Sequence, residues 1–243
     1  MKNPPRLFRS SRLRRGRRAS NLARVADWFR SSDWSSEAQE DFETRLRRAR
    51  PHSRSQYLRI KSLALIEAGQ VGAAVSLLHR VIDDHADDWI QVTSAHEHLG
   101  DIYQSTGDLA GAESEFRRVL ALSPTLSATS GEVHLKLGEV LLAAGADDFA
   151  ELERLIAAAR PHAVFNKTAF RANVLEARVA AAVGDVARCR ESATAALLLV
   201  DAPTQFSRHP TVGLVDASES LLAEMSAMAK APNAPKRRWL RRT

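Results

Sequence analysis

The chain has 243 residues, with 11 glycines, 9 prolines and a single cysteine, a composition that favours many helices and few turns. The one cysteine, Cys189, excludes an intramolecular disulfide framework and any Cys-based zinc or iron–sulfur site. The longest apolar runs, at 179–183 and 195–200, are far shorter than the about 20 residues needed to cross a bilayer.

The net charge of +6 is divided unevenly along the chain. Residues 1–20 carry eight cations and no acid, and residues 230–243 carry six cations and no acid, which leaves the body between them at −8. We predict that 1–20 and 231–243 are basic disordered tails, because they hold too little apolar surface to offset the entropy of ordering. An organelle transit peptide is the alternative interpretation of residues 1–20.

Residues 21–50 are predicted to form N-terminal capping helices. Apolar residues at 22, 25, 26 and 29 fall on one helical face, with Ser20 as the N-cap. A second short helix is predicted after Ser36, with Gln39 in the capping-box position. Trp28 and Trp34 flank the connection, where large aromatic side chains usually pack neighbouring helices together.

Four glycines recur between helical patterns at intervals of 38, 38 and 39 residues: Gly69, Gly107, Gly145 and Gly184. A glycine at such a position can take the left-handed conformation that closes a helix C-terminus. Internal repetition at this period indicates stacked helical hairpins, and no segment shows the alternation typical of strands. The sequence therefore predicts an all-α solenoid of about four antiparallel helical hairpins over residues 51–200.

Capping signatures mark where several of these helices should begin. Three acids follow the glycines and are predicted to start the second helix of a pair: Asp108, Asp147 and Asp185. Two further signatures, Asp88 with Gln91 and Thr129 with Glu132, are predicted to start first helices.

Residues 201–230 break the repeat. Pro203, Pro210 and Gly213 prevent a continuous helix, but the stretch is apolar enough to predict a packed, irregular loop. A final helix at about 218–229 carries apolar residues on one side and is predicted to cap the end of the stack.

The segment 93–126 resembles a tetratricopeptide repeat. The pattern is carried by Leu99, Gly100, Tyr103, Gly107, Ala112, Phe116, Val119 and Pro124, with His96 where the family usually has a tryptophan. The other units match more weakly, the resemblance covers roughly 53–200, and the period of 38–39 exceeds the usual ~34. Residues 57–65 together with 206–215 are similar to bacterial repeat proteins of unassigned function. The tetratricopeptide resemblance implies a protein-binding module. Because neither a membrane span nor a signal peptide is expected, we predict a cytoplasmic location.

No constellation of residues predicts catalysis or a cofactor. His96 and His98 are two apart on a helix and so do not converge on one metal ion. The acids between Asp83 and Asp88 lack the order of a calcium loop and suit helix ends, and Cys189 fits a small packing site. We therefore predict no catalytic residue, no metal site and no enzymatic activity.

The first helix of each pair should line a concave face, which repeat proteins use to bind peptides. The residues that the glycine frame places on this face are Arg59, Glu97, Asp101, Gln104, Glu132, Glu139, Arg171 and Arg178. The face would be acidic in the middle and basic at its far end, complementary to a partner segment of matching charge. Ordinary solvated helix faces are the alternative interpretation.

The tails offer a second functional hypothesis, nonspecific binding of nucleic acid or an anionic membrane. The cations expected to make such contacts are Arg12, Arg14, Arg15, Arg17, Arg18, Arg237, Arg238, Arg241 and Arg242. Covering of an acidic groove by a basic tail and simple solubilisation remain open alternatives. The sequence leaves the partner, the pathway and the oligomeric state open.

Overall fold

The computed structural model describes residues 27–209 and 211–231, so both predicted tails and most of the first capping helix lie outside the described residues. Within these ranges the chain is all-helical, without a strand. Its ten α-helices are α1 Ser36–Arg48, α2 Pro51–Glu67, α3 Val71–Asp84, α4 Trp89–Thr106, α5 Leu109–Leu122, α6 Val133–Ala143, α7 Phe149–Ala159, α8 Asn166–Ala182, α9 Val186–Val200 and α10 Glu219–Ala229. Helices pack against their neighbours in sequence order. None of them is long and apolar enough to cross a membrane.

The four recurring glycines close helices as the sequence predicts. Gly69, Gly107, Gly145 and Gly184 have φ values of 74°, 84°, 78° and 76°, a region that L side chains rarely adopt. Each glycine stands just beyond the last turn of α2, α4, α6 or α8, and the second helix of the pair begins within four residues. The repeat period is therefore the spacing of left-handed helix ends.

The predicted helix starts are confirmed at three positions and corrected at three others. Asp108, Asp185 and Asp88 accept hydrogen bonds from backbone N–H groups three residues ahead. The N-cap of α7 is Asp148 rather than Asp147, and that of α1 is Ser35 rather than Ser36. The Thr129 signature is wrong, because Thr129 donates its hydroxyl to the Leu126 carbonyl and α6 begins only at Val133.

The chain divides into two compact units, one up to Gln91 and one from Val92 onward. In the first unit an aromatic cluster joins the segment before α1 to α1 and α2. The Trp28 ring lies 5.1 Å from the Phe42 ring and 5.2 Å from the Tyr57 ring, and Trp34 lies 5.5 Å from Phe42. The predicted packing role of Trp28 and Trp34 is confirmed.

The buried ammonium group of Lys61, on α2, holds the segment that precedes α1. Lys61 is 2% exposed, and its ammonium group donates to the carbonyls of Ser31, at 2.5 Å, and Asp33, at 2.8 Å. The ammonium also lies 4.9 Å from the centre of the Trp34 ring, within cation–π range. Burial lowers the pKa of Lys61, and the nearby Asp33 carboxylate opposes that shift.

Replacing Lys61 by methionine should destabilise the first unit by about 2–3 kcal/mol, because two charge-assisted hydrogen bonds are lost and their carbonyls stay without a donor. The free energy of unfolding from urea titration measures this loss. Arg45→Met is the matched control, since Arg45 pairs with the exposed Asp41 on the same unit. Equal losses for the two variants would contradict the anchoring role of Lys61.

The second unit is packed around close approaches between helices. A methyl group on Gly100 of α4 would lie 2.5 Å from the Phe116 ring of α5, and one on Gly138 of α6 would lie 2.7 Å from Leu175 of α8. Phe116 is fully buried in a core that α5, α6, α7 and α8 share. Two glycines thus set how closely these helices pack.

Residues 201–217 are irregular, as predicted, although Pro210 lies outside the described residues. The predicted packing of this loop is wrong for three of its apolar side chains, since Phe206, Val212 and Leu214 are 38%, 41% and 43% exposed. The loop is instead joined to the start of α8 by hydrogen bonds. Gln205 accepts from the Asn166 backbone N–H at 2.7 Å and donates to the Val164 carbonyl at 2.9 Å. The final helix, α10, is capped by Ser218, and its Met225 is fully buried in a separate apolar cluster with residues of α8 and α9.

Candidate functional site: a charge ladder on the second unit

The most ordered polar feature of the second unit begins at Lys136 on α6. Its ammonium lies 2.8 Å from a Glu97 carboxylate oxygen and 2.7 Å from an Asp101 oxygen, both on α4. Glu97 also accepts from the Ser130 hydroxyl and, at 2.9 Å, from the Ser130 backbone N–H. Burial alone would raise the pKa of Glu97, but Lys136 and Ser130 outweigh it and hold that pKa below its ordinary value.

The same arrangement recurs one helix pair further on. The Arg171 guanidinium on α8 donates two bonds to Glu139, at 2.5 and 2.6 Å, and a third to Glu132 at 2.9 Å. Glu132 also accepts from the Thr168 hydroxyl at 2.7 Å. These carboxylates raise the pKa of Arg171 against the opposing effect of burial, so the guanidinium stays charged.

Arg178 completes the row by donating two bonds, at 2.8 and 2.7 Å, to Glu224 on α10. We call the eight groups the charge ladder: Glu97, Asp101, Glu132, Lys136, Glu139, Arg171, Arg178 and Glu224. Five carboxylates face three cations, so the ladder carries a formal net charge of −2. Asp101 and Arg178 are its most exposed members, with side chains 43% and 39% exposed.

Six of the eight residues predicted for the concave face belong to this ladder: Glu97, Asp101, Glu132, Glu139, Arg171 and Arg178. Gln104 lies half-buried in the last turn of α4, where its carbonyl accepts from the Gly107 backbone N–H at 3.2 Å. Arg59 belongs to the first unit, where its Nε donates to Gln91 at 2.6 Å. Of the predicted recognition residues, Arg171, Glu132 and Glu139 pair with one another, whereas Glu97, Asp101 and Arg178 pair with the unpredicted Lys136 and Glu224.

Lys136 and Glu224 were not predicted to belong to the binding face. For Lys136, the sequence does contain a pattern that indicates its partner. Glu97 and Lys136 are 39 residues apart, and so are Glu132 and Arg171. This separation equals the repeat period, so opposite charges one period apart meet on neighbouring first helices of a pair. A search for such charge pairs would have found two steps of the ladder from the sequence.

The side chains that the sequence analysis considered as metal ligands or as a nucleophile make contacts within the fold. The described residues contain no cluster of three or more side chains suited to hold a metal ion. His96 contacts Glu115 at 2.6 Å, and Asp88 accepts from Ser55 at 2.6 Å while it caps α4. Cys189 is buried as predicted, and burial raises the pKa of its thiol, which disfavours the nucleophilic thiolate.

The surroundings of His134, in the second unit, disfavour its protonation. The Nδ1 atom of His134, on α6, is buried without a hydrogen-bond partner among the described residues, and its ring stacks on His162 at 6.5 Å. Burial lowers the pKa of His134, and charge on His162 lowers it further.

The second unit should therefore lose stability as the pH falls below about 6.5, the pKa of an unfolded histidine. The unfolded chain binds the proton there while the folded chain resists it, so the contribution is complete above that pH. In melting curves between pH 7.5 and 5.0, His134→Phe should lower the acid sensitivity of the midpoint, whereas His209→Phe on the exposed loop should not. An unchanged pH slope for His134→Phe would contradict this role.

No protein-family model matches the chain, and a search of curated proteins finds no match. The arginines predicted for tail contacts all lie outside the described residues.

Proposed function

We propose that the chain is a tetratricopeptide-like repeat protein, with capping helices at its ends, that acts in the cytoplasm as an adaptor or scaffold rather than as an enzyme. Its binding face would be the charge ladder, which takes an extended segment of a partner protein. Support comes from helices packed in sequence order and from a left-handed glycine closing each first helix at a period of 38–39 residues.

The observation that carries the proposal is the preorganisation of the ladder. Lys136 and Arg171 are each held by two carboxylates, so the charges are fixed before any partner arrives. A preorganised polar face loses little side-chain entropy on binding, and its charge pattern selects partners more than it adds affinity. The outer members, Asp101 and Arg178, together with Gln104, leave part of the row accessible.

Site-specific photo-crosslinking tests the proposal on the full chain. A photoreactive amino acid at Gln104, beside the ladder, should crosslink a defined protein from nuclease-treated cell extract. The same amino acid at Arg118, exposed on the second helix of that hairpin, serves as the matched control. Asp101→Asn should reduce the crosslink at position 104 several-fold, because it removes one accessible charge of the ladder.

Two outcomes would contradict the proposal. Equal crosslinking at positions 104 and 118 would show that the ladder is not the binding face. Products that form only in extract not treated with nuclease, or that vanish at raised salt, would instead favour the second hypothesis, in which the basic tails bind nucleic acid or an anionic membrane.

A further inference from the structure

Exposed apolar side chains gather where the loop 201–217 meets the start of α8, in the second unit. We call them the apolar patch; its five members are between 38% and 63% exposed: Val164, Phe165, Phe206, Val212 and Leu214. The rings of Phe165 and Phe206 lie 5.7 Å apart, and a methyl group on Gly213 would lie 3.2 Å from Phe165. The residues on either side of Gly213 both belong to the patch, so its members form one surface.

The apolar patch is large for a surface left in contact with water. It holds five of the ten exposed large apolar side chains in the described part of the chain. Together these side chains expose on the order of a few hundred Å², the size at which an apolar patch marks contact with another molecule.

The charges around the patch indicate what covers it. The segments 164–167 and 201–217 contain two cations and two acids, all exposed: Lys167, Arg208, Asp201 and Asp216. Among the described residues none of the four takes part in an ion pair. The region therefore has no net formal charge, with histidine counted as neutral.

This balance disfavours several kinds of partner. An anionic membrane or a nucleic acid is bound by surfaces with an excess of cations. A twofold interface instead brings the same surface of two copies together, so that surface must be complementary to itself. An apolar centre with equal numbers of unpaired cations and acids meets this condition, because the cations of one copy can pair with the acids of the other.

We infer that the apolar patch is the contact between two copies of this chain in a twofold dimer. Two patches with their charged borders bury about 1,000 Å², below the range of stable interfaces, so the dimer is weak and reversible. Its dissociation constant should be on the order of 10 µM. No residue of the charge ladder belongs to the patch, so dimer formation goes beyond the proposed function.

Sedimentation equilibrium of the full chain tests the dimer between about 1 and 200 µM protein, around the expected dissociation constant. Val164→Gln with Val212→Gln should weaken the association about ten-fold, because the centre of an interface contributes most of its affinity. Val183→Gln with Leu198→Gln is the matched control, since both residues are exposed apolar side chains of the second unit outside the patch. Circular dichroism checks that each variant remains folded.

A mixing experiment tests whether the partner is a second copy. One variant carries Lys167→Glu with Arg208→Glu, and the other carries Asp201→Lys with Asp216→Lys. Each variant alone should stay monomeric at about 200 µM, because like charges then border both patches. An equimolar mixture should sediment as a dimer, because the two borders are again complementary.

A monomer at every concentration, equal weakening in the control, or no association in the mixture would each overturn the inference. Association that is lost at about 0.5 M salt would also overturn it, because contacts made by the basic tails are screened there, whereas an apolar contact is not. None of these outcomes changes the crosslink at position 104, so the dimer and the proposed function are tested separately.

Discussion

Lys136→Met should lower the free energy of unfolding of the second unit by about 3–5 kcal/mol, the range expected when one partner of a buried ion pair is removed. Glu97 is only 4% exposed, so without Lys136 its charge would remain in the interior with Ser130 as its donor. Chemical denaturation followed by circular dichroism measures the loss. Adding Glu97→Gln should restore part of it, because the uncompensated charge is then gone.

Arg117 provides a closely matched control. Like Lys136 it joins two carboxylates, Glu113 at 2.8 Å and Glu151 at 2.7 Å, but its side chain is 43% exposed. Arg117→Met should cost no more than about 1 kcal/mol, since exposed ion pairs contribute little. Equal losses of unfolding free energy in the Lys136 and Arg117 variants would show that burial does not determine how much the Lys136 ion pairs stabilise the second unit.

Phe116→Ala should destabilise the second unit by about 3–5 kcal/mol, because it leaves a large cavity in the shared core. It should also reverse the sign of the stability change that Gly100→Ala causes. In the wild-type chain Gly100→Ala should cost about 1–3 kcal/mol, since the new methyl group would meet the Phe116 ring at 2.5 Å. In the Phe116→Ala background the same change should stabilise by up to about 1 kcal/mol, because alanine is the better helix former.

Gly72 is the control for the helix-propensity part of this argument. It lies within α3, and a methyl group there would meet nothing within 4 Å. Gly72→Ala should therefore be stabilising by about 0.5–1 kcal/mol in every background. A Gly100→Ala effect of the same sign with and without Phe116 would show that the close approach between α4 and α5 is not what selects glycine.

Backbone features were the most predictable part of the fold. Glycine has a local reason to stand at each left-handed helix end, so Gly69, Gly107, Gly145 and Gly184 could be read without tertiary information. Helix starts were less certain, because two capping residues often stand side by side. At the start of α7 two aspartates are adjacent, and the side chain of the second, Asp148, accepts from the Glu151 backbone N–H at 2.9 Å.

The partners of buried charges could not be predicted in the same way. Lys61 lies two residues before Leu63 in an ordinary helical pattern, yet its ammonium anchors a segment about 30 residues earlier in the chain. Such a contact depends on how that segment folds back, which no local pattern encodes. The ladder is intermediate, since six members were placed on one face from the repeat frame while their mutual pairing followed from the three-dimensional packing.

The charge ladder also constrains how this chain could have grown or could be redesigned. Repeat arrays usually lengthen by copying a hairpin, which requires that each copy fit beside itself. A duplicate of α6–α7 would place a second Glu132 where Arg171 now lies, because these residues are 39 positions apart and occupy equivalent places in successive hairpins. Like charges would then face each other at a partly buried position. The hairpins of the second unit are thus individual pieces with a fixed order, not interchangeable modules.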